Sequence, residues 1–100
     1  MQTNTHQKSS VTRFALGQTY VTPGAEDALM IAGQTGIEFL RRHMSNDWGD
    51  LSDADVRENE LSLKEGFRLL SAYRTAKGQK LWIITEADRS STTILLPTEY

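Results

Sequence analysis

The chain contains no cysteine, which removes a disulfide framework, thiol catalysis and thiolate metal sites from consideration. Two histidines, His6 and His43, are too few for a histidine-rich metal centre. No apolar run approaches the ~20 residues of a membrane-spanning helix. The first residues also lack the charged, apolar and small-residue succession of a signal peptide. A soluble cytoplasmic protein with no membrane contact is the expectation. The net charge is only −2, and the strongly basic footprint of direct nucleic-acid binding is missing. There is no glycine-rich phosphate loop, serine elbow or zinc spacing, so no cofactor is expected.

What the chain does have is concentrated in its last third. Three runs rich in Leu, Ile, Tyr, Trp and Thr, Arg68–Arg74, Lys80–Glu86 and Ser91–Leu96, are separated by the breakers Thr75–Gln79 and Ala87–Ser90. They predict a three-stranded antiparallel meander. A two-residue turn at Lys77-Gly78 would set Tyr73 opposite Trp82 and Ala72 opposite Ile83. Alternation then gives one aliphatic face of Leu70, Ala72, Leu81, Ile83, Ile94 and Leu96. The other face carries Tyr73, Trp82, Ile84 and Leu95 with Ser71 and Thr93. Leu81-Trp82-Ile83-Ile84 is apolar on both sides, so the aromatic face needs a cover: the N-terminal segment, a second copy in a homodimer, or a partner. A slip of one residue would exchange the faces.

Ahead of the meander, Met1–Ser10 is polar and is expected to be a disordered tail, with His6 incidental, leaving 11–100 as a single α+β domain. Val11–Val21 suits a covering or edge strand. Thr22 followed by Pro23 opens a helix that ends at Gly33, with Ala25, Ala28, Leu29 and Ala32 as its apolar stripe. Thr35 caps a second helix, Gly36–His43, expected to bury Ile37, Phe39 and Leu40. Ser52, with Asp55 three residues on, caps a third, Asp53–Glu65, stopped by Gly66. The order is β-α-α-α-β-β-β, an α+β sandwich of helices on a sheet. Asn59, on the apolar stripe of the third helix, fits a hydrogen bond to a neighbouring loop or a ligand contact.

Three clusters could carry chemistry. His43, Asp47, Asp50 and Asp53 mix imidazole and carboxylates, as a hard or borderline metal requires. Their spacing matches no established loop, and the start of the next helix explains Asp50 and Asp53 equally well. Glu86, Asp88 and Arg89 could supply a base and a phosphate-holding cation, as a small ribonuclease would need. The plainer alternative is a turn in which Asp88 bonds its own backbone. From Asp47 to Glu60, six acidic residues face Arg57 alone. Such a run can imitate a nucleic-acid backbone, or it can be a solvated helix face.

Several words of the sequence are also similar to those of a known family. They are Asp47-Trp48-Gly49-Asp50-Leu51, then Asn59, then Gly66 through Ser71-Ala72-Tyr73. Above all they include Trp82-Ile83-Ile84-Thr85-Glu86-Ala87-Asp88-Arg89-Ser90, followed by Thr92 through Pro97 and Glu99-Tyr100. The family comprises small bacterial proteins of plasmids and other mobile elements, sometimes labelled type I restriction subunit M; this chain is too short to be a methyltransferase. The resemblance runs from Thr12 to Tyr100. It implies a mobile-element setting and assigns no catalytic residue.

Together these readings favour a non-enzymatic accessory protein that binds a macromolecule, such as a host defence or nucleic-acid-processing protein. The candidate binding residues are Asp53, Asp55 and Glu58 on the acidic flank, and Tyr73 and Trp82 on the sheet. The alternatives are the ribonuclease built on Glu86, Asp88 and Arg89, and a homodimer.

Overall fold

Thr22 marks the point where the chain leaves its first strand and enters its first helix. Its side-chain oxygen accepts from the Ala25 N–H, and Pro23 occupies the first helical turn, where a missing N–H costs nothing. This computed structural model describes residues 14–100; the expected tail and Val11–Arg13 lie outside the described residues. The element order is β1 (Gln18–Val21), α1 (Pro23–Ala32), α2 (Gly36–Met44), α3 (Asp53–Glu65), β2 (Leu69–Arg74), β3 (Lys80–Thr85) and β4 (Ser91–Leu95). A 3-10 turn follows at Pro97–Glu99. This is the expected α+β order. The sheet runs β1-β4-β3-β2 and is mixed, because β1 joins the antiparallel meander in parallel with β4.

The helices stop where their caps say they should. Gly33 and Gly66, both left-handed, end α1 and α3, and the Ser52 side chain accepts from the Asp55 N–H. Thr35 stands at the N-cap of α2 but makes no side-chain cap bond there, and Ile37 is exposed rather than buried. Ala25, Ala28 and Leu29 of α1 and Phe39 of α2 pack on Tyr73, Leu81, Ile83 and Ile94, with Leu40 and Leu96 alongside. The 3-10 turn is tied to this layer through Glu99. Its carboxylate accepts from the Thr22 hydroxyl, the Gly24 N–H and the Leu96 N–H. A side chain at Gly24 would begin 2.6 Å from that carboxylate, so the Glu99 side chain would have to shift to admit one.

One strand lies the other way round from the sequence expectation. Tyr73 pairs with Leu81, and Ala72 pairs with Trp82. The turn between them has five residues, Thr75–Gln79, not two. Thr75 organises it: its N–H bonds the Gln79 carbonyl, and its hydroxyl accepts from Lys77 and Gln79. An odd shift of register turns every β2 side chain over. Leu69, Ser71 and Tyr73 therefore face the helices, while Leu70 and Ala72 join Trp82, Ile84 and Leu95 on the outer face. The β3 and β4 faces are as expected.

The free edge of β2 is closed by two devices. Asn59 of α3 donates to the Leu70 carbonyl (2.6 Å) and accepts from the Leu70 N–H (3.1 Å), acting as a one-residue strand. Two residues on, the Ala72 N–H bonds the Trp48 carbonyl and the Asp50 N–H bonds the Ala72 carbonyl. Gly49 makes that contact possible: at φ +77, a Cβ there would stand 2.0 Å from the Ala72 oxygen. Asn59 thus makes a structural bond, to a strand rather than a loop. An edge left open would be a template for pairing with other chains. Asn59→Ala strips both partners from Leu70 and is expected to lower stability by about 2–4 kcal/mol. Asn59→Asp should recover little, since a carboxylate cannot donate to the Leu70 carbonyl. Urea unfolding of the three proteins measures this directly.

Candidate binding groove

With β2 turned over, Leu70, Ala72 and Trp82 form the floor of a groove on the outer face of the sheet, about 300 Å³ in volume. Asp50, Leu51 and Asp55 line one wall, where the chain enters α3. Arg74 and Lys80, from the ends of β2 and β3, line another side. A second hollow of about 270 Å³ adjoins it, lined by Glu58 of α3 and by Phe67 and Arg68 at the start of β2. Leu51, Asp55 and Leu70 border both, so the two are continuous. Tyr100 stands edge-on to Trp82 at 5.7 Å between ring centres. Arg68 bonds the Tyr100 hydroxyl and lies over its ring.

Four of the five proposed binding residues border these hollows: Trp82, Tyr73 and Asp55 the first, Asp55 and Glu58 the second. Asp53 is exposed on the first turn of α3 but lines neither hollow. Tyr73 corrects the expectation of a shared aromatic face. It borders the groove but is 2% exposed, with its ring against Phe39 and its hydroxyl donating to the Asp47 carbonyl. Burial pushes the Tyr73 phenol up. Leu51, Arg74 and Lys80 were not among the expected binding residues; the first joins the site through the α3 entry and the others from the two sides of the five-residue turn. Asp50 and Arg74 approach to 3.8 Å, whereas neither Asp55 nor Glu58 forms an ion pair among the described residues.

The other clusters have different fates. In the Glu86–Ser91 hairpin, Asp88 accepts from the Ser90 N–H, the turn that its residue type favours. Its carboxyl is held below the usual range by those Ser90 contacts. Arg89 sits at φ +61, and its guanidinium donates to the carbonyls of Ser62, Phe67, Glu86 and Ala87. It pins the end of α3 to the hairpin. Its bonds go to carbonyls, with no ion pair to the Glu86 or Asp88 carboxylates.

His43, Asp47, Asp50 and Asp53 are not assembled, and no group of three or more potential ligands occurs among the described residues. Asp47 forms a paired contact with Arg42 (2.6 and 3.3 Å), which keeps its carboxyl below the usual range. His43 is 0% exposed, enclosed by Phe14 and Trp48, and both ring nitrogens are engaged. Nδ1 meets the Ser71 hydroxyl (2.6 Å) and Nε2 meets Thr85 (2.9 Å), which in turn meets Thr92 (2.8 Å). Thr92 donates to the Leu16 carbonyl, an acceptor only. The Thr92 oxygen therefore accepts from Thr85, Thr85 accepts from Nε2–H, and Nδ1 accepts from Ser71. The chain of hydroxyls selects one neutral tautomer.

No protein-family model, no curated protein and no solved structure matches this chain.

Burial, with a smaller repulsion from Arg89, lowers the His43 pKa from 6.5 to about 3. The unfolded chain therefore takes up a proton before the folded protein does. Stability is complete above pH 6.5 and declines as the pH falls toward 3, by about 2 kcal/mol between pH 7 and pH 5. His43→Asn should be less stable at pH 7 and lack that part of the slope in urea titrations at the two pH values. Arg89→Ala removes a donor from four carbonyls and leaves those of Phe67 and Ala87 without one, since Ser62 and Glu86 keep backbone donors; it should cost about 2 kcal/mol, read as a lower thermal midpoint.

Proposed function

We propose that this chain is a non-enzymatic binding protein whose outer-face groove takes a segment of another protein. The observation that carries this reading is the convergence of Trp82 with Asp55 and Glu58. An exposed acidic helix wall without ion pairs stands beside an apolar floor with an aromatic side chain in it. The partner segment would place Lys or Arg against Asp55 and Glu58, and an apolar residue on Leu70 and Trp82. A cation near the indole face would gain further. Proteins that handle nucleic acid present basic segments of this kind, which suits a cytoplasmic accessory role directed at a host defence or nucleic-acid-processing protein. The mobile-element setting rests on the resemblance in the C-terminal words of the sequence.

The test is a peptide array of basic, acidic and neutral segments, each bearing one apolar anchor, read by fluorescence. Trp48 is buried, so a change in indole emission abolished by Trp82→Phe reports the groove. Basic segments should bind saturably. The double variant Asp55→Asn, Glu58→Gln should weaken binding at least tenfold, and added salt should weaken it as well. Equal binding of acidic segments, or none at all, would overturn the reading.

A further inference from the structure

The two edges of the sheet are treated differently. The β2 edge is closed by Asn59 and by Trp48–Asp50, as described above. The β1 edge is not, among the described residues: there β4 is the only sheet neighbour of β1, and all four of its residues are exposed. Gln-Thr-Tyr-Val is short, but it carries no charge, no proline and no bulge, three of the features by which natural edges discourage pairing. Tyr20 is 55% exposed and Val21 42%. Among the described residues, five of the eight exposed large apolar side chains (Tyr20, Val21, Met30, Ile31 and Ile37) belong to β1, α1 and the start of α2.

We infer that β1 pairs antiparallel with β1 of a second copy of this chain, joining two four-stranded sheets into one of eight strands. The backbone specifies how. The N–H of Gln18 bonds Ser90 and that of Thr22 bonds Ile94, so even-numbered residues point to β4. The N–H and C=O of Thr19 and Val21 point outward. Around a twofold axis, the register that uses both residues of both copies sets Thr19 against Val21 of the other copy and Tyr20 against Tyr20. It makes four backbone hydrogen bonds. The tyrosines form the closely spaced, non-hydrogen-bonded pair, a favourable aromatic cross-strand contact.

A charge on the strand would meet itself across such an axis. An uncharged, β-prone strand suits a second copy in particular, and this argues for a like partner over an unlike one. A four-residue ladder alone is small for a stable interface. However, α1 begins at Pro23, directly after the strand. Val21 is in register with inward-facing Ile94, so the two α1 helices come to the same side of the joint. The groove lies by β2, at the far edge of each sheet, so this inference does not depend on it.

Sedimentation of the full chain, from micromolar to hundreds of micromolar, should show a concentration-dependent species of twice 11.3 kDa. Thr19→Pro removes an outward N–H and leaves the bonds to β4 intact, so it should give a monomer with unchanged circular dichroism. Tyr20→Lys and Tyr20→Glu should each be monomeric alone and should dimerise when mixed, because unlike charges then face one another at the axis. That readout holds even if the proline variant folds poorly. A wild-type monomer throughout the range, or a dimer indifferent to both Tyr20 changes, would overturn the inference.

Discussion

The closure of the β2 edge is the constraint on which the rest of the molecule depends. A strand whose outward N–H and C=O groups had no partners would be an open template. Here α3 and the loop before it exist, in structural terms, to prevent that. Asn59 supplies a side-chain amide that copies a peptide group, and the Trp48–Asp50 backbone supplies the next pair. Both devices require a particular residue. Asn59 must donate and accept at once, and Gly49 must present no Cβ to the Ala72 carbonyl. The position of α3 follows from these bonds, and with it the position of Asp55 across the groove from Trp82 and of Glu58 on the adjoining hollow. The groove is thus a by-product of how an edge was covered.

The layer between α2 and the sheet has its own organising element. His43 and the three hydroxyls of Ser71, Thr85 and Thr92 form a directed chain that ends on a backbone carbonyl. Each polar atom in it has a partner, as buried polar groups require. The chain links α2 with β2, β3, β4 and the segment before β1, so it acts as a registration device in a core otherwise made of small, aliphatic and aromatic side chains. The same burial that makes it rigid also makes it sensitive to acid, because the imidazole has no room to charge.

The Arg89 hairpin shows how a residue pattern can be chemically suggestive and yet structurally committed. Acid and arginine at a strand end have the composition of a phosphate-handling site. In the folded chain the guanidinium points back at four carbonyls, including one from the last turn of α3. That carbonyl, of Ser62, also takes the Gly66 and Phe67 N–H groups, and an arginine across the loop is well shaped to serve several carbonyls at once. Its left-handed backbone, costly for any residue with a Cβ, is held in place by that network.

Much of this protein could be read directly from its residues. Caps and glycines located α1 and α3, with the bounds of α3 at Asp53 and Glu65, because capping is local chemistry carried by the residues themselves. The alternation of Leu81 to Ile84 and of Thr92 to Leu96 assigned the faces of β3 and β4. What could not be read was the sidedness of β2. It hinged on whether the turn before β3 held two residues or five, and Thr75 settled that by folding the loop around its own hydroxyl. Since strand side chains alternate with period two, that local difference placed Tyr73 in the core and Leu70 beneath the groove. The acidic run and Trp82 were each visible as features of the sequence, but their meeting was not. It depends on Asn59 finding an edge eleven residues away, a contact that no periodicity records and only the packed chain decides.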